Sequence, residues 1–350
     1  MKLQFYPMDL PCEFDFTISR GTQTVARHVL VTLTYESFTG RGEAAPNAFY
    51  GETQESVLDF LAWVQTENLL SDLTPFDLQK FNDTFRQIPG HMPAKSALEM
   101  ALYDLYGQLL NQPLYKLLGL NPAKIPKSSY TIGLADLDEV RKKTRVALDR
   151  GYDILKVKVG GPSDLAVLET IRGMVPASVT IRVDANAAWQ PDEAIAMFPK
   201  LAALDVEFVE EPLQVDASMK DRRRVKESSP LPLIADESVH TLTDIPMVAE
   251  WADGVNLKLT KTGGLTEAIR MIHAARAHNL SVMLGCFVET SLAITAFAHL
   301  APLADILDLD GGLLLADDPM DGVRWEGNQL FLPDRPGLGV IGGDVAVLCS

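Results

Sequence analysis

The chain has 350 residues, of which 47% are hydrophobic, and a formal net charge of −16 at pH 7. This length is too great for one small domain and suits a barrel of about 250 residues with a second module. The negative charge argues against nucleic acid and against an anionic membrane surface as partners.

The unpaired cysteines and the absence of an apolar run long enough to span a membrane predict a cytoplasmic location. Three cysteines, Cys12, Cys286 and Cys349, form no Cys-x-x-Cys pair and are expected to be free thiols in a reducing compartment. No apolar run is long enough to cross a bilayer, and the N-terminus lacks the pattern of a signal peptide.

Residues 1–118 are predicted to form a separate α+β domain, because strands are followed by helices. The predicted strands, with Gly40 placed at a hairpin turn, are Phe14–Ile18, Ala26–Tyr35 and Gly40–Ala45. The predicted helices are Thr53–Thr66, Pro75–Gln87 and Ala94–Leu110. Gln112–Lys127, with three prolines and a glycine, is interpreted as the linker.

Strands and helices then alternate, which predicts a parallel β/α barrel over residues 119–321. The predicted strands are Ser129–Gly133, Ile154–Val159, Val179–Asp184, Val206–Glu210, Pro232–Asp236, Gly254–Lys258, Ser281–Gly285 and Asp305–Asp308. An acidic, glycine-rich stretch follows the last strand in place of a helix. Residues 322–350 return to a strand-and-turn pattern and are predicted to pack back on the N-terminal domain.

Charged residues recur at the ends of successive predicted strands. They are Lys158, Asp184, Glu210, Asp236 and Lys258, at intervals of 26, 26, 26 and 22 residues. Taken singly, each carboxylate is equally consistent with a helix N-cap or a loop charge. The C-terminal ends of barrel strands meet at one mouth, so together the three carboxylates predict a site for Mg²⁺ or Mn²⁺ rather than Zn²⁺.

Two lysines are expected to flank this site as acid–base groups. Strand alternation places Lys156 and Lys158 on the inward face, where desolvation and mutual repulsion lower an ammonium pKa. An exposed strand is the alternative, but its other face is apolar. On the other side, spacing leaves open whether Lys258 or Lys261 enters the pocket, and strand parity favours Lys258.

Two further features suggest substrate contacts. Asp308 and Asp310 end the eighth predicted strand as two aligned carboxylates, suited to an ammonium group or equally to helix capping. Arg20 follows the first predicted strand and suits an anion clamp, although alone it is equally an ordinary loop arginine.

Together these segments resemble the enolase superfamily and, within it, the muconate lactonizing enzyme subgroup. The matching motifs are Gly40–Arg41–Gly42–Glu43–Ala44, Lys156–Val157–Lys158, Asp184–Ala185–Asn186, Glu210–Glu211–Pro212, Asp236–Glu237–Ser238 and Lys258–Leu259–Thr260–Lys261–Thr262–Gly263–Gly264. The resemblance covers nearly the whole chain. It implies the α/β class with a modified TIM barrel, (β/α)₇β, and an N-terminal α+β capping domain.

Within the subgroup the chain resembles dipeptide epimerases of the L-Ala-D/L-Glu type. The resemblance implies that Asp308 and Asp310 hold the α-ammonium of the dipeptide. It implies also that Arg20, in Ile18–Ser19–Arg20–Gly21, receives a glutamate side chain, although nearby Arg27 leaves this alignment open. Further pocket residues implied by the resemblance are Thr131, Trp189 and Cys286, the last within Gly285–Cys286–Phe287–Val288–Glu289.

The implied reaction is inversion of the C-terminal α-carbon of a dipeptide, with Lys158 and Lys258 exchanging protons on opposite faces of a metal-stabilised enediolate. Lys156 is expected to bind the substrate carboxylate, and a role in recycling cell-wall peptides would follow. Other activities of the subgroup use the same groups: o-succinylbenzoate synthase, N-acylamino acid racemase and cycloisomerase. A non-catalytic ligand-binding barrel is a remote alternative. Barrels of this kind often form symmetric homo-oligomers, but no interface is visible in the sequence.

Overall fold

The structure, a computed structural model, describes residues 1–343 of the chain. Three antiparallel strands in the order β1-β2-β3 begin the cap: β1 Lys2–Ile18, β2 Gly21–Tyr35 and β3 Phe38–Ala44. Three helices pack against them: α1 Gln54–Thr66, α2 Leu78–Arg86 and α3 Met92–Leu109. Their shared apolar core includes Leu33, Leu61 and Leu98.

Two details of the cap differ from the sequence prediction. Strand β1 begins at Lys2 rather than Phe14, because its prolines Pro7 and Pro11 lie on an edge strand, where proline is tolerated. The turn predicted at Gly40 is wrong, since Gly40 lies within β3 opposite Leu33. A Cβ atom there would lie 2.0 Å from the carbonyl oxygen of Ala101, so glycine permits the close approach of α3.

Eight parallel strands in consecutive order form the second sheet. They are β4 Tyr130–Ile132, β5 Ile154–Lys158, β6 Thr180–Asp184, β7 Val206–Glu210, β8 Leu233–Ala235, β9 Gly254–Lys258, β10 Ser281–Gly285 and β11 Ile306–Asp308. A parallel bridge between Ser128 and Leu307 brings the first and last strands together. The predicted capped barrel is thereby confirmed.

Helices cover the outside of this sheet. After the linker helix α4 Leu114–Leu117 they are α5 Leu137–Asp149, α6 Asp164–Met174, α7 Pro191–Ala203, α8 Met219–Ser228, α9 Ile245–Val248, α10 Leu259–Thr262, α11 Leu265–Ala277 and α12 Ser291–Ala298. Within residues 1–343, β11 is followed by a 3₁₀ turn, Gly311–Leu314, in place of an α-helix, as the sequence indicated.

Four short strands follow the barrel: β12 Met320–Asp321, β13 Arg324–Glu326, β14 Gln329–Phe331 and β15 Ile341–Gly342. In this segment the backbone N–H of Leu338 donates to Asp104 Oδ1 of α3 at 2.8 Å. The predicted domain boundaries at residues 118 and 321 stay predictions. Residues 344–350, with Cys349, lie outside the described residues.

The strand register explains why equal spacing in sequence produces one site. Lys158 is paired with Asp184 in β5 and β6, and Asp184 with Glu210 in β6 and β7. The three side chains therefore leave the sheet at the same level and toward the same interior. Between residues 1 and 343, no helix has both the length and the apolar character needed to cross a membrane.

Candidate active site

Three buried carboxylates form the centre of the barrel mouth. Asp184, Glu210 and Asp236 each offer one oxygen, and these oxygens lie within 4.8 Å of one another. Each side chain is fully buried. Glu210 Oε2 makes no hydrogen bond among the described residues, although Lys156 Nζ lies 2.8 Å away. A buried set of three carboxylate oxygen donors fits a hard divalent cation such as Mg²⁺.

Buried lysines surround the carboxylates. Lys156 Nζ lies 2.6 Å from Asp308 Oδ2 and 3.1 Å from Asp184 Oδ2. Lys158 Nζ lies 2.6 Å from Asp184 Oδ2, and Lys258 Nζ lies 2.7 Å from Asp236 Oδ2. Lysines therefore meet the carboxylate cluster from two sides, β5 and β9.

The charges in this cluster shift one another strongly. Burial and the neighbouring Asp184 raise the pKa of Glu210 to about 8. Burial alone would lower the pKa of Lys156, but the charges of Asp308 and Glu210 outweigh it and raise that pKa well above its ordinary value. The pKa of Lys258 is raised in the same way, with Asp236 outweighing burial. The lowering expected from the sequence is thus wrong for Lys156, because carboxylate oxygens lie within 3.1 Å of its ammonium group.

Lys258 lines the pocket, in agreement with strand parity, whereas Lys261 does not line it but also contacts the carboxylate centre. The Lys261 ammonium group lies 2.5 Å from Asp236 Oδ1 and 2.6 Å from the Asp236 carbonyl oxygen. It also donates to the carbonyl oxygen of Asn256 at 3.2 Å. Lys261 comes close to Asp236 because α10 begins directly after β9 and turns its side chain back toward that residue.

Other polar residues fix the orientation of the carboxylates. Asn256 Nδ2 donates to Glu210 Oε1 at 2.7 Å, and the backbone N–H of Asn186 donates to Asp184 Oδ1 at 2.8 Å. Glu211 Oε2 accepts from the backbone N–H of Asp236 at 2.8 Å. No role was predicted for these residues, although Asn256 shares the inward face of Lys258 and Glu211 adjoins a predicted ligand.

The predicted ammonium-binding residues lie together on the β11 side of the pocket. Asp310 Oδ2 accepts from the backbone N–H of Thr131 at 2.6 Å. The Cys286 thiol donates to the carbonyl oxygen of Asp308 at 3.2 Å. Burial and the charge of Asp308 raise the pKa of Asp310 to about 7, so a cationic ligand would stabilise its ionised form.

The cap supplies the opposite wall. Arg20 lies in the turn between β1 and β2, where its guanidinium stands 4.2 Å from the centre of the Phe49 ring. Arg27 projects from β2, 66% exposed, toward Asp9 at 4.0 Å. Trp189 packs in the outer layer of the barrel, and its indole N–H donates to Asp164 at 3.4 Å.

These residues enclose a cavity of about 480 Å³ between cap and barrel. Its lining includes the predicted residues Arg20, Thr131, Lys158, Lys258, Cys286, Asp308 and Asp310. Neither Arg27 nor Trp189 is among the lining residues. A pocket with two lysines at its floor, a carboxylate pair at one end and an arginine at the other suits a small zwitterionic substrate.

The fold and this site define a capped barrel with a buried carboxylate–lysine centre. Residues 139–341 match the enolase C-terminal domain-like family, and residues 6–119 match the N-terminal domain of mandelate racemase / muconate lactonizing enzyme. The chain belongs to the enolase superfamily, in its mandelate racemase / muconate lactonizing enzyme branch.

Individual relatives agree with this assignment. The chain is 37% identical over 342 residues, 97% of its length and 88% of the relative's, to the L-Ala-D/L-Glu epimerase of Bacteroides thetaiotaomicron. A substrate-liganded L-Ala-D/L-Glu epimerase from Bacillus subtilis superimposes with a TM-score of 0.91 at 31% identity, covering 98% of each chain. A Cytophaga hutchinsonii dipeptide epimerase, complexed with Mg and D-Ala-L-Val, gives 0.89 at 28% identity, covering 98% of this chain and 95% of that one. The resemblance to dipeptide epimerases is thereby confirmed.

Proposed function

We propose that the protein is a Mg²⁺-dependent isomerase that epimerises the C-terminal residue of a dipeptide. The observation that carries this proposal is the shared cavity, which Lys158 and Lys258 line together with Asp308 and Asp310. A carboxylate pair that can receive an ammonium group, beside two lysines, matches a substrate with a free N-terminus.

Asp184, Glu210 and Asp236 would hold the metal. Mg²⁺ supplies stabilisation of the negative charge that develops on the substrate carboxylate as its α-proton leaves. Lys156 lies within 3.1 Å of two of these residues. It is therefore suited to bind the same substrate carboxylate.

Lys158 and Lys258 are the two acid–base groups in this proposal. One removes the α-proton as a neutral amine, and the other, as an ammonium ion, returns a proton to the opposite face. Their positions on β5 and β9, either side of the carboxylate cluster, support this division. The configuration of the α-carbon is inverted as a result.

The residues on opposite walls of the pocket suggest which end of the dipeptide each wall would bind. Asp308 and Asp310 would bind the α-ammonium group, which substrates of the related N-acylamino acid racemases and o-succinylbenzoate synthases lack. Arg20 would face the side chain of the C-terminal residue, which favours an acidic dipeptide such as L-Ala-L-Glu. The apolar lining residues Phe16, Ile18 and Phe49 support a second candidate class, dipeptides with an apolar C-terminal residue.

Deuterium exchange distinguishes these candidates. The protein with Mg²⁺ is incubated in D₂O with L-Ala-L-Glu, L-Ala-L-Leu and N-acylamino acids, and the α-proton is followed by NMR. Exchange with epimerisation of a dipeptide is the expected result. Exchange with N-acylamino acids alone would mean that the protein is an N-acylamino acid racemase. Binding of a dipeptide without any turnover would mean that the barrel binds a ligand but is not catalytic. A cytoplasmic location and a homo-oligomer stay predictions of the sequence.

A further inference from the structure

Arg20 forms an ion pair with Glu237, a residue for which the sequence predicts no contact with substrate. Arg20 Nη2 lies 2.7 Å from Glu237 Oε1, and Arg20 Nη1 donates to the carbonyl oxygen of Asn186 at 2.7 Å. Ser19 Oγ donates to the same carbonyl oxygen at 3.2 Å. The turn between β1 and β2 is therefore attached to the barrel through Arg20 and Ser19.

Among the described residues, Arg20 is the one cation that forms an ion pair with Glu237 within 4.0 Å. The Glu237 side chain is 1% exposed, whereas that of Arg20 is 27% exposed and lines the cavity. Asn186 Nδ2 donates to Glu237 Oε1 at 3.2 Å, and Glu237 Oε2 has no hydrogen-bond partner within residues 1–343. A buried carboxylate that accepts so few hydrogen bonds is stabilised mainly by its ion pair with the guanidinium group.

We propose that Glu237 is a specificity-determining residue, because it sets how much of the Arg20 charge is available to the substrate side chain. This inference rests on the proposed dipeptide epimerase function. Arginine carries five N–H donors, so it can hold Glu237 and a substrate group together. A substrate carboxylate on Arg20 would stand close to the Glu237 carboxylate and be repelled by it. A neutral amide of the same shape would not.

The test compares two nearly isosteric dipeptides on one preparation. In Glu237→Gln, the ratio of kcat/KM for L-Ala-L-Glu to that for L-Ala-L-Gln should rise about tenfold over wild type, since a like charge near the acidic side chain is removed. The change should lie in KM, because Arg20 contacts a part of the substrate remote from the α-carbon. A ratio cancels any difference in the fraction of active enzyme.

Two further variants separate this role from a general structural one. Glu250→Gln removes a partner of Arg223 in an exposed ion pair and should leave the ratio at its wild-type value. In an Arg20→Met background, Glu237→Gln should raise the ratio less than it does beside Arg20, because the part of the effect that acts through Arg20 is lost. If Glu237→Gln does not fold, Glu237→Asp, which withdraws the carboxylate from Arg20, should raise the ratio in the same direction.

Two results would overturn the inference in different ways. A ratio in Glu237→Gln within about twofold of wild type, with both dipeptides turned over, would remove Glu237 as a determinant while leaving the proposed function intact. An equal rise of the ratio in the Arg20→Met background would show that Glu237 does not act through Arg20. Failure of the wild-type protein to epimerise any dipeptide would remove the proposed function and this inference together.

Discussion

The floor and the cap-side wall of the pocket are built in opposite ways. The floor consists of Lys158 and Lys258, which line the pocket at the ends of hydrogen-bonded strands, and of the carboxylate cluster behind them, where Asp184 and Glu210 are 0% exposed. The wall comes from the turn after β1 and from the 3₁₀ segment Ala48–Tyr50, and Phe49 is 41% exposed. The strand register fixes the floor, whereas a few side-chain contacts fix the wall.

This difference assigns catalysis to the floor of the pocket and substrate specificity to its wall. In the proposed reaction, floor residues would contact the part common to every dipeptide, the α-carbon with its carboxylate, so changes there should reduce turnover of all substrates equally. Wall residues would face the variable side chain, so changes there should alter the ratio between substrates. Substitutions in the floor and at Glu237 therefore probe the two regions separately.

The largest effect is expected at the two proposed acid–base groups. Lys158→Ala and Lys258→Ala should each reduce epimerisation up to about 10⁴-fold, the upper end of what a positioned acid–base group contributes. Each variant should retain α-proton exchange from only one stereoisomer, measured by NMR in D₂O. Lys200→Ala, at an exposed position of α7, is the matched control. Epimerisation near the wild-type rate in either variant would refute the two-base assignment.

A smaller loss is expected when one carboxylate of the floor is neutralised. Asp236→Asn should lose measurable Mg²⁺ binding by calorimetry and about 10²–10³-fold in turnover, since stabilisation of the developing charge is lost. Asp216→Asn makes the same charge change at an exposed loop position and should bind Mg²⁺ normally. Undiminished turnover in Asp236→Asn would exclude it from the ligand set.

A smaller loss than at Asp236 is expected when Lys261, which contacts Asp236, is substituted. Its bonds to Asp236 Oδ1 at 2.5 Å and to the Asp236 carbonyl oxygen at 2.6 Å orient this carboxylate from behind. Lys261→Met should therefore weaken Mg²⁺ affinity about 10- to 100-fold, as loss of an outer partner of a metal ligand does. Calorimetric titration measures it, and unchanged affinity would leave Lys261 with a packing role only.

Sequence reasoning succeeded where regular strands carry the residue. The 26-residue spacing of Lys158, Asp184 and Glu210 translates directly into neighbouring strands in register. It failed for Gly40, whose glycine serves packing on α3 rather than a turn. The contact of Lys261 with Asp236 could not be predicted, because strand parity cannot be extended past the end of β9.

The direction of the lysine pKa shift and the Arg20–Glu237 ion pair could not be predicted from the sequence, for another reason. Two lysines on one strand predict mutual repulsion, but the sign of the pKa shift at Lys156 depends on distances to Asp308 and Glu210. The Arg20–Glu237 contact joins the cap to the end of β8, and no local pattern encodes a contact so distant along the chain.

The smallest expected effect is a pH dependence at the ammonium end of the pocket. Burial and the charge of Asp308 raise the pKa of Asp310 to about 7, so below that pH Asp310 is increasingly neutral and loses its attraction for the substrate ammonium. The value of kcat/KM should fall up to about tenfold per pH unit below 7, equally for acidic and neutral dipeptides. In the substrate complex the ammonium group favours the ionised form, so kcat should change less than kcat/KM. An acidic limb that persists unchanged in Asp310→Asn would belong to another group, and the assignment of the ammonium contact to Asp310 would be wrong.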